Sequence, residues 1–161
     1  MPLKHNQSSD YKYTADYCTP KSAWEQISEY IPKDKTIWEP FYCDGVSCQF
    51  LQELGYDVIH KDEDFFKTNY EDTVIVSNPP FNNLKKILTR LKHLDHPFIL
   101  IMPAGTICTQ YFKTLFPDIQ IIIPAKRIQF LKNGDQLTRC YFDTMFYAYK
   151  MNLQKDLIML K

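Results

Sequence analysis

Short apolar runs alternating with amphipathic stretches constrain this chain more than any other feature. Thr36 to Glu39, Tyr56 to His60, Thr73 to Ser77, Phe98 to Met102 and Ile119 to Ile123 have the length and β-branched or aromatic content of strands. Val46 to Leu54, Asn83 to Leu94 and Thr106 to Phe116 have helical spacing, with Gly55 placed where a helix end takes a left-handed residue. A further helix is expected before the first strand, capped by Thr19 with Pro20 at its first position and Trp24, Ile27 and Ile31 on one face. Strand, helix and strand in this order form βαβ units, which imply a parallel sheet with right-handed crossovers. Arg127 to Leu131 and Tyr141 to Lys150 flank the turn Lys132-Asn133-Gly134-Asp135 and read as an antiparallel hairpin at the sheet edge. The expected fold class is α/β, a three-layer sandwich with its ligand at the carboxyl ends of the strands.

The length of 161 residues suits one domain, expected over residues 11–161 behind a flexible polar arm at 1–10, with no separate recognition domain. Nineteen basic residues balance nineteen acidic ones, so no global field draws in a polyanion and any nucleic-acid contact must be local. No apolar run is long enough to span a membrane, and the polar Met1 to Asp10 lacks the core of a signal peptide. The expected location is therefore intracellular, cytoplasmic or nuclear, without membrane contact. Cys43 and Cys48 with His60 lack the second ligand pair of a zinc site, so no metal is expected.

In a parallel sheet the informative residues follow each strand. Asn78-Pro79-Pro80-Phe81 after the third run is the sharpest signal. An exocyclic amine is a poor nucleophile because its lone pair is delocalised. An Asn side-chain oxygen and a neighbouring carbonyl can hold the amine hydrogens and stabilise the charge that develops during attack. The prolines fix φ and add no N–H donors, and Phe81 offers a face for a planar group. The plainer reading is a proline-rich strand terminator.

The chain resembles class I S-adenosylmethionine-dependent methyltransferases, specifically the DNA adenine-N6 branch, whose [Asn/Asp/Ser]-Pro-Pro-[Tyr/Phe/Trp] tetrapeptide Asn78 to Phe81 match in full. Trp38-Glu39-Pro40-Phe41-Tyr42-Cys43-Asp44-Gly45-Val46-Ser47 is similar to that family's cofactor loop, and Tyr17-Cys18-Thr19-Pro20 to its N-terminal Thr-Pro motif. Arg127-Ile128-Gln129-Phe130 and Phe142-Asp143-Thr144 resemble segments near the end of phage and large-virus adenine methyltransferases. The resemblance spans about residues 11 to 150 and implies a Rossmann-like sandwich, S-adenosyl-L-methionine as cofactor, and methyl transfer to adenine N6 in DNA or RNA.

It also implies roles. Asn78, Pro79, Pro80 and Phe81 are the catalytic set. Glu39 and Asp44, with Gly45 in the same loop, lie near the methionine ammonium, unless they are surface carboxylates. Asp62 takes the ribose hydroxyls, with Glu63 and His60 as alternatives. Asp64 and Phe65 meet the adenine of the cofactor, or Phe65 is plain core. Tyr17 and Thr19 close over the methionine carboxylate, or Thr19 only caps its helix. Arg127 and Phe130 contact the substrate, and Lys85, Lys86, Arg90, Lys92 and His93 form the best local basic patch. Cys43 replaces the family's usual Gly. That departure, together with the missing recognition domain, leaves two alternatives: a non-catalytic partner subunit, or a protein glutamine methyltransferase. Binding to nucleic acid by the chain alone should be weak, with a specificity partner or a homodimer supplying the rest.

Overall fold

The computed structural model describes residues 18–41, 45–132, 135–136 and 143–161. The arm at 1–10, Tyr17, Cys43, Asp44 and the Asn133-Gly134 turn lie outside them. The strands are β1 (Thr36–Trp38), β2 (Val58–Ile59), β3 (Thr73–Ser77), β4 (Phe98–Pro103), β5 (Gln120–Ile123), β6 (Leu131–Lys132), β7 (Asp135–Gln136), β8 (Thr144–Tyr149) and β9 (Leu157–Met159). The helices are α1 (Lys21–Gln26), α2 (Val46–Glu53), α3 (Leu84–Leu94) and α4 (Gln110–Leu115).

Seven strands form one sheet in the order β2-β1-β3-β4-β8-β5-β9. Neighbours run parallel except at β8, which is antiparallel to both β4 and β5. Alternation along the buried strands builds two cores. Ile75, Phe98, Leu100 and Met102 face α3 and α4, where they meet Ile87, Leu91, Phe112 and Phe116. Val74, Val76, Ile99 and Ile101 face the other way, toward Ala23, Trp24, Ile27 and Leu51 of the N-terminal segment and α2. Strands covered on both faces must be apolar at every position, which is why these runs lack the polar alternation of a half-exposed sheet. The outcome is the expected Rossmann-like α/β sandwich, three layers deep.

Two local expectations are corrected. The antiparallel strand is not at the edge: β8 is threaded between β4 and β5, with Phe146 opposite both Ile101 and Ile122. Phe146, Tyr147 and Ala148 are wholly buried, so β8 needs cover on both faces. Of the expected partner, Arg127 to Phe130 forms no strand and only Leu131 pairs, in the separate β6–β7 ribbon, and the edge beyond β5 is taken by β9. Thr19 does not cap α1. The N-cap is Pro20, which offers no side-chain bond. Cys18 is held extended by reciprocal backbone bonds of 2.8 Å to Leu131, and this pulls Thr19 away from the helix start.

The end of α2 follows the glycine signal. Gly55 has φ +94°, and the N–H groups of Gly55 and Tyr56 donate to the carbonyls of Gln52 and Leu51, a Schellman closure. A Cβ at residue 55 would meet only Lys33 Nζ, at 3.7 Å, so space is not limiting. Gly55→Ala should therefore cost about 1 kcal/mol through backbone strain alone, read as a lower urea midpoint at unchanged slope.

Candidate active site

Because β2, β1 and β3 are adjacent, the segments leaving their carboxyl ends are neighbours at one rim of the sheet. From β1 come Glu39, Pro40 and Phe41. Glu39 is 2% exposed, a depth rare for a carboxylate. Its Oε1 accepts a bond from the Phe41 N–H at 3.1 Å and another from the Ser77 hydroxyl at the end of β3. Burial pushes its carboxyl from an ordinary 4.5 up to about 8, although the Ser77 and Phe41 donors pull the other way. Glu39 is thus a buried, largely protonated acid, not a surface carboxylate. Burial raises the Cys48 thiol above its ordinary value, and Glu39, when ionised, acts in the same direction.

From β2, His60 Nδ1 lies 2.9 Å from the Glu39 carbonyl oxygen and ties the second segment to the first. Asp62 is exposed beside it. Asp64 shapes its own turn, because its Oδ1 accepts from the Phe66 N–H at 2.9 Å and its Oδ2 lies 3.7 Å from Lys67 Nζ. Phe65 is 1% exposed, with ring contacts to Trp38 at 5.8 Å and Phe41 at 4.9 Å, and so packs as a core ring. Glu63 accepts from the Tyr70 hydroxyl at 2.5 Å.

From β3 come Asn78, Pro79 and Pro80, all buried, and the half-buried Phe81 that opens the turn into α3. Asn78 Oδ1 is buried and has no hydrogen-bond partner among the described residues. An unmet buried acceptor costs about 1–3 kcal/mol, a penalty that a native fold tolerates mainly at functional positions. Thr19 Oγ1 is buried and unmet in the same way.

Phe130 is wholly buried, and its ring stands edge-on to Phe81 at 6.5 Å. It can position Phe81 but offers no face of its own to a ligand. Arg127 is exposed, with Nε 2.8 Å from Asp143 Oδ1, at the mouth of a groove of about 500 Å³ against α1. Gly45 (φ +85°) precedes α2, where Ser47 Oγ accepts from the Trp24 indole at 3.1 Å and joins α2 to α1.

The structure therefore brings Glu39, His60, Ser77 and Asn78 to one rim. It assigns Phe65 and Phe130 to the core and Asp64 to a turn. Ser77 is the residue that sequence reasoning missed; its signal is a hydroxyl ending an otherwise apolar buried strand, next to the tetrapeptide.

No protein-family profile matches the chain, and no curated protein matches it. Among solved structures, the chain is similar to the crystal structure of a possible methylase from Clostridium difficile 630. The likeness has 15% identity and a TM-score of 0.37 over 80% of this chain and 35% of the other. The chain spans about a third of the length of that protein. No described helix is long and apolar enough to cross a membrane.

Proposed function

We propose that the protein is an S-adenosylmethionine-dependent methyltransferase acting on the N6 amine of adenine in DNA or RNA. The observation that carries this reading is Asn78: a buried side-chain oxygen with no hydrogen-bond partner among the described residues, placed by two prolines at the end of β3. That is the acceptor an exocyclic amine needs. The Rossmann-like sheet, with its rim of polar groups, agrees with the resemblance of the Trp38 to Ser47 and Asn78 to Phe81 segments.

The residues fit the cofactor chemically. Glu39 is a carboxyl held out of water, where pairing with an ammonium or sulfonium repays its desolvation. Thr19 brings an unmet hydroxyl, and Asp62 an exposed carboxylate for sugar hydroxyls. S-adenosylmethionine, when bound, would supply a methyl carbon on a sulfonium: the amine nitrogen would form a bond to that carbon as the C–S bond breaks, the neutral thioether would leave, and the amine proton would pass to water. The chain itself holds the amine hydrogens on Asn78 Oδ1, stacks the base on Phe81, and excludes water with Pro79 and Pro80. Phe130 fixes the ring of Phe81. Concentrating acceptor and donor in one orientation contributes the rest of the rate.

Nucleoside mass spectrometry after incubation of DNA and RNA with protein and S-adenosylmethionine tests the reading. The expected product is N6-methyladenosine or its deoxy form. Methyl groups found only in protein glutamine would replace it with the alternative acceptor, and transfer to neither would favour the partner-subunit reading.

A further inference from the structure

The helix after the tetrapeptide carries a charge pattern that the catalytic reading does not use. From Thr73 to Leu94 there is no acidic residue, while Lys85, Lys86, Arg90, Lys92 and His93 all fall on α3. The apolar face of α3 is spent on the core through Leu84, Ile87, Leu88 and Leu91. Its other face borders a groove of about 700 Å³ that starts at Asn82 and Asn83, next to Phe81, and runs past Lys85, Lys86, Arg90 and His93. Phe66 forms part of the far wall, and Lys86 Nζ sits 4.8 Å from the centre of its ring. Arg90 is half-buried in this groove: Nη2 donates to the Thr68 carbonyl at 3.3 Å, while Nε has no hydrogen-bond partner among the described residues. Lys92 is committed elsewhere, to the Tyr149 hydroxyl at 3.3 Å and the rings of Phe116 and Tyr149.

Charge complementarity selects the occupant. In a chain of zero net charge, a one-signed wall along an 11-residue helix, about 16 Å long, matches two or three successive phosphates of one strand. Fixed apolar anchors beneath the lysines and an aromatic wall suit a sugar-phosphate backbone with flanking bases. We propose that the α3 groove is the track that holds the backbone of the acceptor nucleic acid beside its target base. The proposal rests on the methyltransferase reading for the identity of that base, but its test does not require catalysis.

Fluorescence anisotropy of labelled 20-nucleotide single strands, with a duplex arm and no cofactor, reads the track directly. Lys85→Gln/Lys86→Gln should weaken single-strand binding roughly tenfold at low salt and reduce the slope of log K against log salt by about 1.4, two phosphate contacts' worth. Lys85→Arg/Lys86→Arg should restore both, and Lys155→Gln/Lys161→Gln should change neither. In parallel, the glutamine double variant should lose methylation rate more on long strands than on an adenine dinucleotide. Equal binding by wild type and the glutamine double variant overturns the track, as does polyglutamate competing as well as the oligonucleotide. If wild type transfers no methyl group yet the double variant still loses oligonucleotide affinity and salt slope, the enzymatic reading fails and the track stands.

Discussion

Asn78→Ala is expected to lower kcat for methyl transfer to adenine by roughly 10²–10³, with the dissociation constant for S-adenosylmethionine within about twofold of wild type. The side chain is removed from a site where Oδ1 accepts no hydrogen bond among the described residues. No buried donor is then stranded, and the usual cost of breaking a buried polar pair does not arise. Pro79 and Pro80 retain their φ values and keep the strand exit in place. The loss should therefore fall on the transition state alone, where the oxygen compensates an amine hydrogen that becomes more acidic during attack. Asn78→Asp keeps an acceptor at the same position and should recover part of the rate. Calorimetry with the cofactor, alongside single-turnover transfer, separates the two effects. Full activity in Asn78→Ala would remove Asn78 from the chemistry.

Most of the parallel half of the fold is legible in the sequence because burial on both faces demands uninterrupted apolar runs, and Thr73 to Ser77 and Phe98 to Met102 satisfy that demand almost residue for residue. The placement of β8 is less legible. Asn133-Gly134 signals a local reversal, but a turn does not say which distant strands accept its arms. The pairing of Phe146 with both Ile101 and Ile122 is a long-range choice. The unbroken run Phe146-Tyr147-Ala148 is the physical clue to an interior position, since an edge strand would show a polar face. β9 is not legible at all, because Lys155 and Asp156 lead into three apolar residues, Leu157, Ile158 and Met159, whose exposed-inward-exposed placement no alternation of residue type marks.

At the candidate site, residue type is informative and environment is not. Asp64, Phe65 and Phe130 are the types a cofactor or base site uses, yet only packing distinguishes a ring that stacks on a ligand from one that fills the core. Glu39 illustrates the reverse. Its motif suggests a pairing carboxylate, and the structure adds the depth and the Ser77 and Phe41 donors that determine how it behaves.

That depth gives the second large effect. Free of cofactor, the protein should lose stability steadily between about pH 4.5 and pH 8, and Glu39→Gln should abolish most of that slope. The native state holds on Glu39 a proton that the unfolded chain releases above its ordinary value of 4.5, because the folded value is raised to about 8. The contribution is fully present below pH 4.5, falls as pH rises through that window, and is gone above about 8. A shift of this size corresponds to an upper figure on the order of 5 kcal/mol, or about 10 °C or more in Tm for a chain of this length. Gln keeps an oxygen that can accept from Ser77 and Phe41 but has no proton to lose, so the variant should melt at nearly constant temperature across the window and exceed wild type at pH 8. A cationic cofactor should reverse the wild-type trend, since pairing with the ionised carboxylate expels the proton. Affinity should then rise by up to about tenfold per pH unit from pH 5 toward 8, with close to one proton released per site in calorimetry at pH 7. Glu39→Gln should show neither the rise nor the proton. Parallel pH dependence of wild type and variant, in melting and in binding, would mean that Glu39 is ionised in the folded protein or does not meet the cofactor's charge.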